Sequence, residues 1–263
     1  MIFSGSGSWR MPHCSAQNRD ALVESMRNPF STRFVEPGAI PYFFEPSFIK
    51  KIKEEDPFSY TKAFNEALGT KTELTTWIGC SFLMEKFKTA QCRGQIAGVH
   101  GCGKSTLLSS LVRVFLENGA TIAFFELHNG ARVLPNGADA EIETIGKAGG
   151  DKALKSECGL LPLVVVDGYE QLGFASRTRL DRLCRKFGCG LLITTHTRKW
   201  GIPVLIKPHP SRETLGKIVD YLLDESLTLP SDTFIRKLYA KKRENFRDIL
   251  FGLYDWFEMR KGE

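Results

Sequence analysis

"GVHGCGKST", residues 98–106, is the stretch of this 263-residue chain that decides its fold. The spacing is G-x-x-x-x-G-K-[ST], and its fixed positions are Gly98, Gly103, Lys104 and Ser105. A short apolar strand is predicted before it, over residues 95–99, and an amphipathic helix after it, over residues 104–117. A glycine-rich loop of this spacing between a strand and a helix indicates a phosphate-binding P-loop.

The loop is predicted to bind phosphate mainly through its backbone. Glycines let successive N–H groups point at phosphate oxygens, and the helix N-terminus adds a favourable dipole. Lys104 is expected to reach the β- and γ-phosphates, Ser105 to ligate Mg²⁺ and Thr106 to lie near the α-phosphate. His100 and Cys102 are interpreted as contributing their backbone. The predicted cradle comprises Gly98, Val99, His100, Gly101, Cys102, Gly103, Lys104, Ser105 and Thr106.

A second metal anchor is predicted where an apolar run ends in an acid. Residues 163–166 read Leu-Val-Val-Val and are followed by Asp167. Ligands of open parallel sheets bind at the carboxyl ends of the strands, so Asp167 is expected to hold the Mg²⁺. Glu170 is the candidate base for the attacking water, and Gln171 is a second candidate. The alternative for Glu170 is a solvated acid in a turn.

From residue 93 onward, strands alternate with helices, which predicts an α/β core with a parallel sheet. Further strands are expected at 121–125, 163–166, 190–195 and 203–206, with a helix at 176–186. The glycine-rich residues 127–160 are predicted to form an irregular insertion. Helices are expected at 212–223, 231–241 and 245–260. The predicted organisation is a flexible tail (1–25), an N-terminal arm with helices (26–92), a P-loop core (93–210) and a C-terminal helical lid (211–263).

The N-terminal arm combines prolines with aromatic residues. Four prolines between residues 28 and 46 exclude a helix there. Five aromatic side chains in the same stretch favour packing against the main domain or a partner; they are Phe30, Phe34, Tyr42, Phe43 and Phe44. Helices are expected to follow at about 60–68 and 75–88. Met26, where this composition begins, is a second candidate start of translation.

The net charge of +6 is concentrated in one window. Residues 177–199 hold seven basic side chains and one acid. In the predicted helix 176–187, Arg179, Arg182 and Lys186 share a face, for which three interpretations stay open. It is a solvated face, it contacts nucleic-acid phosphates, or it serves self-association by offering an arginine to a neighbouring subunit's γ-phosphate.

Other features indicate a cytoplasmic protein without a membrane span. No apolar run reaches about 18 residues, and the N-terminus has no apolar signal region. The seven cysteines show no framework spacing, which favours reduced thiols. Cys184 and Cys189 lack a second pair at metal-binding spacing, so zinc is not expected.

Three motifs, GVHGCGKST, VVVDGYEQ and GLLITTH, resemble in this order the P-loop NTPases that have an additional strand and a catalytic glutamate. Within that class the chain is similar to AAA+ and STAND ATPases. The resemblance implies that residues 121–125 form the additional strand. It also implies that Thr195 is the sensor-1 residue and Arg247 the sensor-2 arginine of the lid. The segment NPFSTRF…PGAIPY is similar to a group of short uncharacterised bacterial P-loop proteins.

The expected function is Mg²⁺-dependent ATP binding and hydrolysis to ADP, centred on Lys104, Ser105, Asp167 and Glu170. ATP is expected instead of GTP, because the sequence lacks the [NT]-K-x-D motif that reads guanine. A nucleotide switch without hydrolysis and a nucleic-acid-associated ATPase are alternatives. A small-molecule kinase is less favoured, because the helical C-terminus is interpreted as a lid.

Overall fold

A mostly parallel sheet of six strands forms the centre of the protein, as seen in a computed structural model. The strands are β1 Ile2–Phe3, β2 Arg93–Ala97, β3 Ile122–Glu126, β4 Leu163–Asp167, β5 Gly190–Thr195 and β6 Val204–Ile206. Their order is β1-β3-β4-β5-β2-β6, and only the β1–β3 pair is antiparallel. The structure describes residues 2–3, 28, 30, 37–38, 40–66, 71–127, 130–153, 162–199, 201–209, 211–223, 230–242 and 245–260. The predicted α/β class with a parallel sheet is confirmed.

Helices cover both faces of the sheet and form the C-terminal part. They are α1 Pro46–Glu55, α2 Pro57–Glu66, α3 Lys71–Thr89, α4 Lys104–Glu117, α5 Ala138–Ala153, α6 Phe174–Lys186, α7 Arg212–Leu222, α8 Asp232–Lys242 and α9 Phe246–Arg260. On one face α3 and α4 pack through Phe87, Leu107 and Phe115. On the other face α5 and α6 pack through Ile142 and Leu180. All residues of β4 and β5 are buried, as their apolar sequences require.

The N-terminal arm packs against the rest of the protein, as its aromatic residues predicted. Phe30 and Phe43 are buried with the side chains of α7 and α9, and Phe44 is buried against α3. Phe34 lies outside the described residues. A β-carbon on Gly79 of α3 would overlap the Phe44 ring, so glycine is needed there. The Thr214 hydroxyl donates to the Glu45 carboxylate at 2.8 Å, which ties the arm to α7.

The glycine-rich region does not form the predicted irregular insertion, because α5 occupies residues 138–153. Two of its glycines, both in α5, serve close packing. A β-carbon on Gly146 would lie 2.6 Å from the β-carbon of Phe187, and one on Gly149 would lie 2.6 Å from Pro162. Glycine composition alone therefore misled the prediction, since it does not separate loops from tightly packed helices.

The additional strand predicted at 121–125 lies between the P-loop and Asp167 along the chain, but it does not lie between their strands in the sheet. The strand predicted at 121–125 exists as β3, but it lies outside β4 in the sheet. The strand between the P-loop strand β2 and the Asp167 strand β4 is β5. The order of strands along the chain does not fix their order in the sheet. Only the pairing of the strands shows which strand lies between β2 and β4.

Replacing Gly146 by alanine is expected to destabilise the protein by about 1–3 kcal/mol, because the new methyl group would meet the Phe187 backbone. Gly216→Ala in α7 is the matched control, since no atom lies within 4 Å of that β-carbon. Helix propensity predicts a gain of up to about 1 kcal/mol for the control. Urea unfolding of both variants checks the difference, and an equal gain in both would contradict the packing role.

Candidate active site

A cavity of about 540 Å³ lies at the carboxyl edge of the sheet. Seven of the nine predicted cradle residues line it: His100, Gly101, Cys102, Gly103, Lys104, Ser105 and Thr106. Asp167, Glu170 and Arg247 line the same cavity. Gly98 and Val99 are not among the lining residues, and their carbonyl groups contact Lys104 instead. The structure thus brings the two sequence motifs and the lid arginine together.

The P-loop has the backbone conformation that its glycines permit. Gly101 and Gly103 have φ angles of +71° and +89°, and α4 begins directly after Gly103. Lys104 is buried, and its Nζ donates to the carbonyl oxygens of Gly98 and Val99, both at 2.8 Å. The Lys104 ammonium group therefore lies against the P-loop, which directly precedes helix α4.

Asp167 is held by a neighbour on β5 that the sequence analysis did not identify. The Thr194 hydroxyl donates to Oδ1 of Asp167 and accepts from the backbone N–H of Gly168 at 2.9 Å. Gly168 has a φ of +80°, and a β-carbon there would lie 2.6 Å from the carbonyl oxygen of Leu127. The turn after β4 therefore requires this glycine.

Thr195, the predicted sensor-1 residue, does not line the cavity. Its hydroxyl donates to Oε1 of Gln95 at 3.2 Å, and the residue is fully buried. Successive strand residues point to opposite faces of a sheet, so only one of the two threonines can face Asp167. The β4–β5 register pairs Val166 with Ile193, which leaves Thr194 beside Asp167. Without this register, the sequence offers no signal that separates the two threonines.

Glu170 lies in a short 3₁₀ helix, Tyr169–Gln171, directly after the turn. Its Oε1 is 3.2 Å from Nε2 of His196. Its Oε2 is buried and has no hydrogen-bond partner among the described residues. Arg177 of α6 donates to the Glu170 carbonyl oxygen at 2.7 Å and lies over the Tyr169 ring. The carboxylate is therefore carried on a backbone segment that α6 fixes in place.

The side chain of Gln171, the second candidate base, forms hydrogen bonds with backbone groups. Its amide nitrogen donates to the carbonyl oxygen of Leu127, and its oxygen accepts from the N–H of Gly130 at 2.7 Å. Gln171 therefore joins the turn after β4 to the segment after β3.

Two histidines meet beside Glu170. The rings of His100 and His196 are 3.7 Å apart between centroids, so the side chain of His100 packs against His196. Burial lowers the pKa of His196, and the nearby charges of Lys104 and His100 lower it further. Glu170 and Asp167 act in the opposite direction. The net lowering favours a neutral imidazole at neutral pH.

The lid contacts the P-loop directly. The N–H of Phe246, the first residue of α9, donates to the carbonyl oxygen of Gly101 at 3.1 Å. A β-carbon on Gly101 would overlap the Asn245 side chain. Arg247 follows, is exposed and lines the cavity. The sequence did not reveal this contact, because it joins segments far apart in the chain.

The other end of the cavity is largely apolar. It is lined by Ile40 of the arm, Ile218 of α7, and Leu250 and Phe251 of α9. Tyr42 lies next to the P-loop, 3.3 Å from a β-carbon built on Gly103, and burial raises the pKa of its hydroxyl. The arm and the lid thus complete a cavity that the core alone does not enclose.

One of the three side chains of the basic face of α6 is paired within the chain, and so is the neighbouring Arg185. Arg179 forms an ion pair with Asp139, and Arg185 pairs with Asp181 at 2.8 Å. Arg93 of β2 also pairs with Asp181. Among the residues that the structure describes, Arg182 and Lys186 are the basic residues of this face without an ion pair.

Within the same described ranges, no helix is long and apolar enough to cross a membrane.

Comparisons with known proteins give matches only among solved structures. No protein-family model matches the chain, and no curated protein matches it. Trip13 in the HORMA:CdnC:Trip13 complex of E. coli MS115-1 is 14% identical over 75% of this chain and 73% of that one, with a TM-score of 0.36. PCH-2 of C. elegans is 12% identical over 89% and 73%, with a TM-score of 0.38. The likeness to both proteins is one of fold.

Proposed function

We propose that the protein binds ATP with Mg²⁺ and hydrolyses it to ADP and phosphate. The observation that carries the proposal is the convergence of Lys104, Asp167 and Glu170 on one cavity. A phosphate cradle, a metal-ligating acid and an acid that orients water are the parts that phosphoryl transfer to water requires.

The oxygen donors of the cavity suit a magnesium ion. Mg²⁺ is usually held by one or two protein oxygens together with substrate phosphates and water. The Ser105 hydroxyl and the Asp167 carboxylate supply such oxygens, and Thr194 orients the carboxylate. Bound Mg²⁺ would neutralise charge on the phosphates. Ser105 and Asp167 are therefore the proposed metal ligands. Thr194, and not Thr195, is proposed to orient the Asp167 carboxylate.

The P-loop and the lid would supply further positive charge. The Lys104 ammonium now donates to two carbonyl oxygens, and the oxygens of a triphosphate are stronger acceptors because they are charged. Arg247 lines the cavity from the lid side. The phosphates would therefore lie between a cation of the core and a cation of the lid.

Glu170 is the proposed general base. Its Oε2 has no hydrogen-bond partner among the described residues, and a turn of the side chain, which lines the cavity, would present this oxygen to the attacking water. As water oxygen bonds to the γ-phosphorus, the carboxylate accepts the water proton and the bond from that phosphorus to the β–γ bridging oxygen breaks. ADP and phosphate are the products.

The apolar end of the cavity is proposed to hold the adenine base. The cavity volume of about 540 Å³ falls within the usual span for small-molecule sites, about 300–1000 Å³. Ile40, Ile218 and Leu250 offer the apolar surface that a purine covers. ATP is preferred in the proposal because the chain has no guanine-reading [NT]-K-x-D motif.

A nucleotide switch that does not hydrolyse ATP is the second candidate. The contact between Phe246 and the P-loop carbonyl of Gly101 favours it, since a change in the loop would reach the lid. Phosphate release with ATP and Mg²⁺ separates the two candidates. We expect release that stops when EDTA removes the metal, whereas binding of ATP with no release would support the switch.

For the basic face of α6, the ion pairs of Arg179 and Arg185 favour a solvated surface. Arg182 and Lys186 are the side chains that a nucleic acid or a second copy of the chain would meet. DNA binding with a steep salt dependence would support nucleic acid. An ATPase rate per molecule that rises with protein concentration would support self-association.

Thr194→Val is expected to slow hydrolysis by roughly 10- to 100-fold, because Asp167 loses the hydroxyl that orients it. Thr195→Val is the matched control, since its Gln95 partner still accepts from the Lys199 N–H at 2.9 Å. Single-turnover rates of both variants measure the difference. A larger loss of single-turnover rate in Thr195→Val than in Thr194→Val would show that Thr195 has the sensor-1 role.

A further inference from the structure

We propose that His196 is a positioning residue that holds the Glu170 carboxylate in place for the attacking water. The inference rests on the proposed hydrolysis and adds to it a residue to which the mechanism above gives no role. It starts from one contact: Nε2 of His196 lies 3.2 Å from Oε1 of Glu170.

The contact fixes one carboxylate oxygen and leaves the other without a hydrogen-bond partner among the described residues. Oε1 faces His196, while Oε2 is buried without a hydrogen-bond partner among the described residues. The Glu170 side chain is only 19% exposed, so bulk water does not orient it. With Oε1 held by an N–H donor, Oε2 keeps its lone pairs for the proton of the attacking water.

His196 follows directly after β5, which ends at Thr195, and its side chain continues the alternation of that strand. Residues two apart on a strand point to the same face. Thr194 reaches Asp167, and His196, two residues later, reaches Glu170. Thr195 lies between them and points to Gln95. The end of β5 and the residue after it thus provide one side chain each for Asp167 and Glu170.

The P-loop holds His196 from the other side. The His100 ring lies against the His196 ring, with 3.7 Å between the centroids. The charged and titratable groups that act on His196 are Glu170 and Asp167 from the β4 side, and Lys104 and His100 from the P-loop. His209 and Arg247 line the same cavity.

A neutral imidazole suits this role. Burial, together with the Lys104 ammonium, lowers the pKa of His196, so at neutral pH one ring nitrogen carries a proton and the other does not. The proton on Nε2 would donate to Oε1 of Glu170 without adding a positive charge. An added charge would make the carboxylate a weaker base, which is the opposite of what the mechanism needs.

Two substitutions separate positioning from packing. His196→Phe keeps an aromatic ring against His100 and removes the N–H donor. His196→Asn keeps an N–H donor and removes the ring. We expect His196→Phe to lower the single-turnover rate by roughly 10- to 100-fold. The ATP dissociation constant should change by less than about threefold, and His196→Asn should recover part of the rate.

The decisive comparison repeats His196→Phe in a Glu170→Gln background, with melting temperatures recorded for every variant. If His196 acts through Glu170, the second substitution causes no further loss of rate. An unchanged rate in His196→Phe, an independent loss in the Glu170→Gln background, or a loss of ATP affinity would each overturn the inference. A wild-type protein that binds ATP and forms no ADP would instead overturn the proposed hydrolysis, and the positioning role with it.

Discussion

Lys104→Ala is expected to abolish ATP binding at the nucleotide concentrations that saturate the wild-type protein. The ammonium group is buried at the P-loop, and no other cation of the core lines the cavity among the described residues. Removing one partner of a buried, hydrogen-bonded charge pair costs about 2–5 kcal/mol, which weakens binding roughly 30- to 4000-fold. Titration with a fluorescent ATP analogue measures the change.

Arg113→Ala is the matched control for this substitution. Arg113 lies on the same helix, α4, and forms an exposed pair with Glu117 at 3.0 Å. Removing that cation should leave ATP affinity unchanged, since exposed pairs contribute little and Arg113 does not line the cavity. Equal affinities in wild type and Lys104→Ala would show that the P-loop lysine does not bind phosphate.

Glu170→Gln is expected to bind ATP normally and to hydrolyse it about 10²- to 10⁴-fold more slowly. The substitution preserves shape and removes the group that accepts the water proton. Glu126→Gln is the matched control, because Glu126 ends β3 beside Asp167 at the same sheet edge but does not line the cavity. Turnover in Glu170→Gln equal to that of the wild type would remove Glu170 from the mechanism.

The parts of the site that are local in sequence could be predicted. The P-loop, Asp167 and Glu170 each lie within a short motif whose spacing fixes their relative positions, and the structure brings them to one cavity. The α/β class followed in the same way from alternating strand and helix patterns. Helix α4 begins and ends where its apolar periodicity predicted.

The parts that depend on strand register and tertiary contacts could not be predicted in this way. Choosing between Thr194 and Thr195 requires the β4–β5 pairing, and the additional strand requires the order of strands in space. The glycine content of α5 is also typical of loops, so it does not indicate a helix. The contact of α9 with Gly101 joins segments that no local pattern connects.

A single-turnover measurement tests the central claim most directly. Protein in excess over radiolabelled ATP is mixed with Mg²⁺ and quenched over time, and the bound nucleotide is separated into ATP and ADP. The account predicts that wild type converts its bound ATP to ADP, while Glu170→Gln retains ATP over the same period. Bound ATP recovered intact from the wild-type protein in the presence of Mg²⁺ would contradict it.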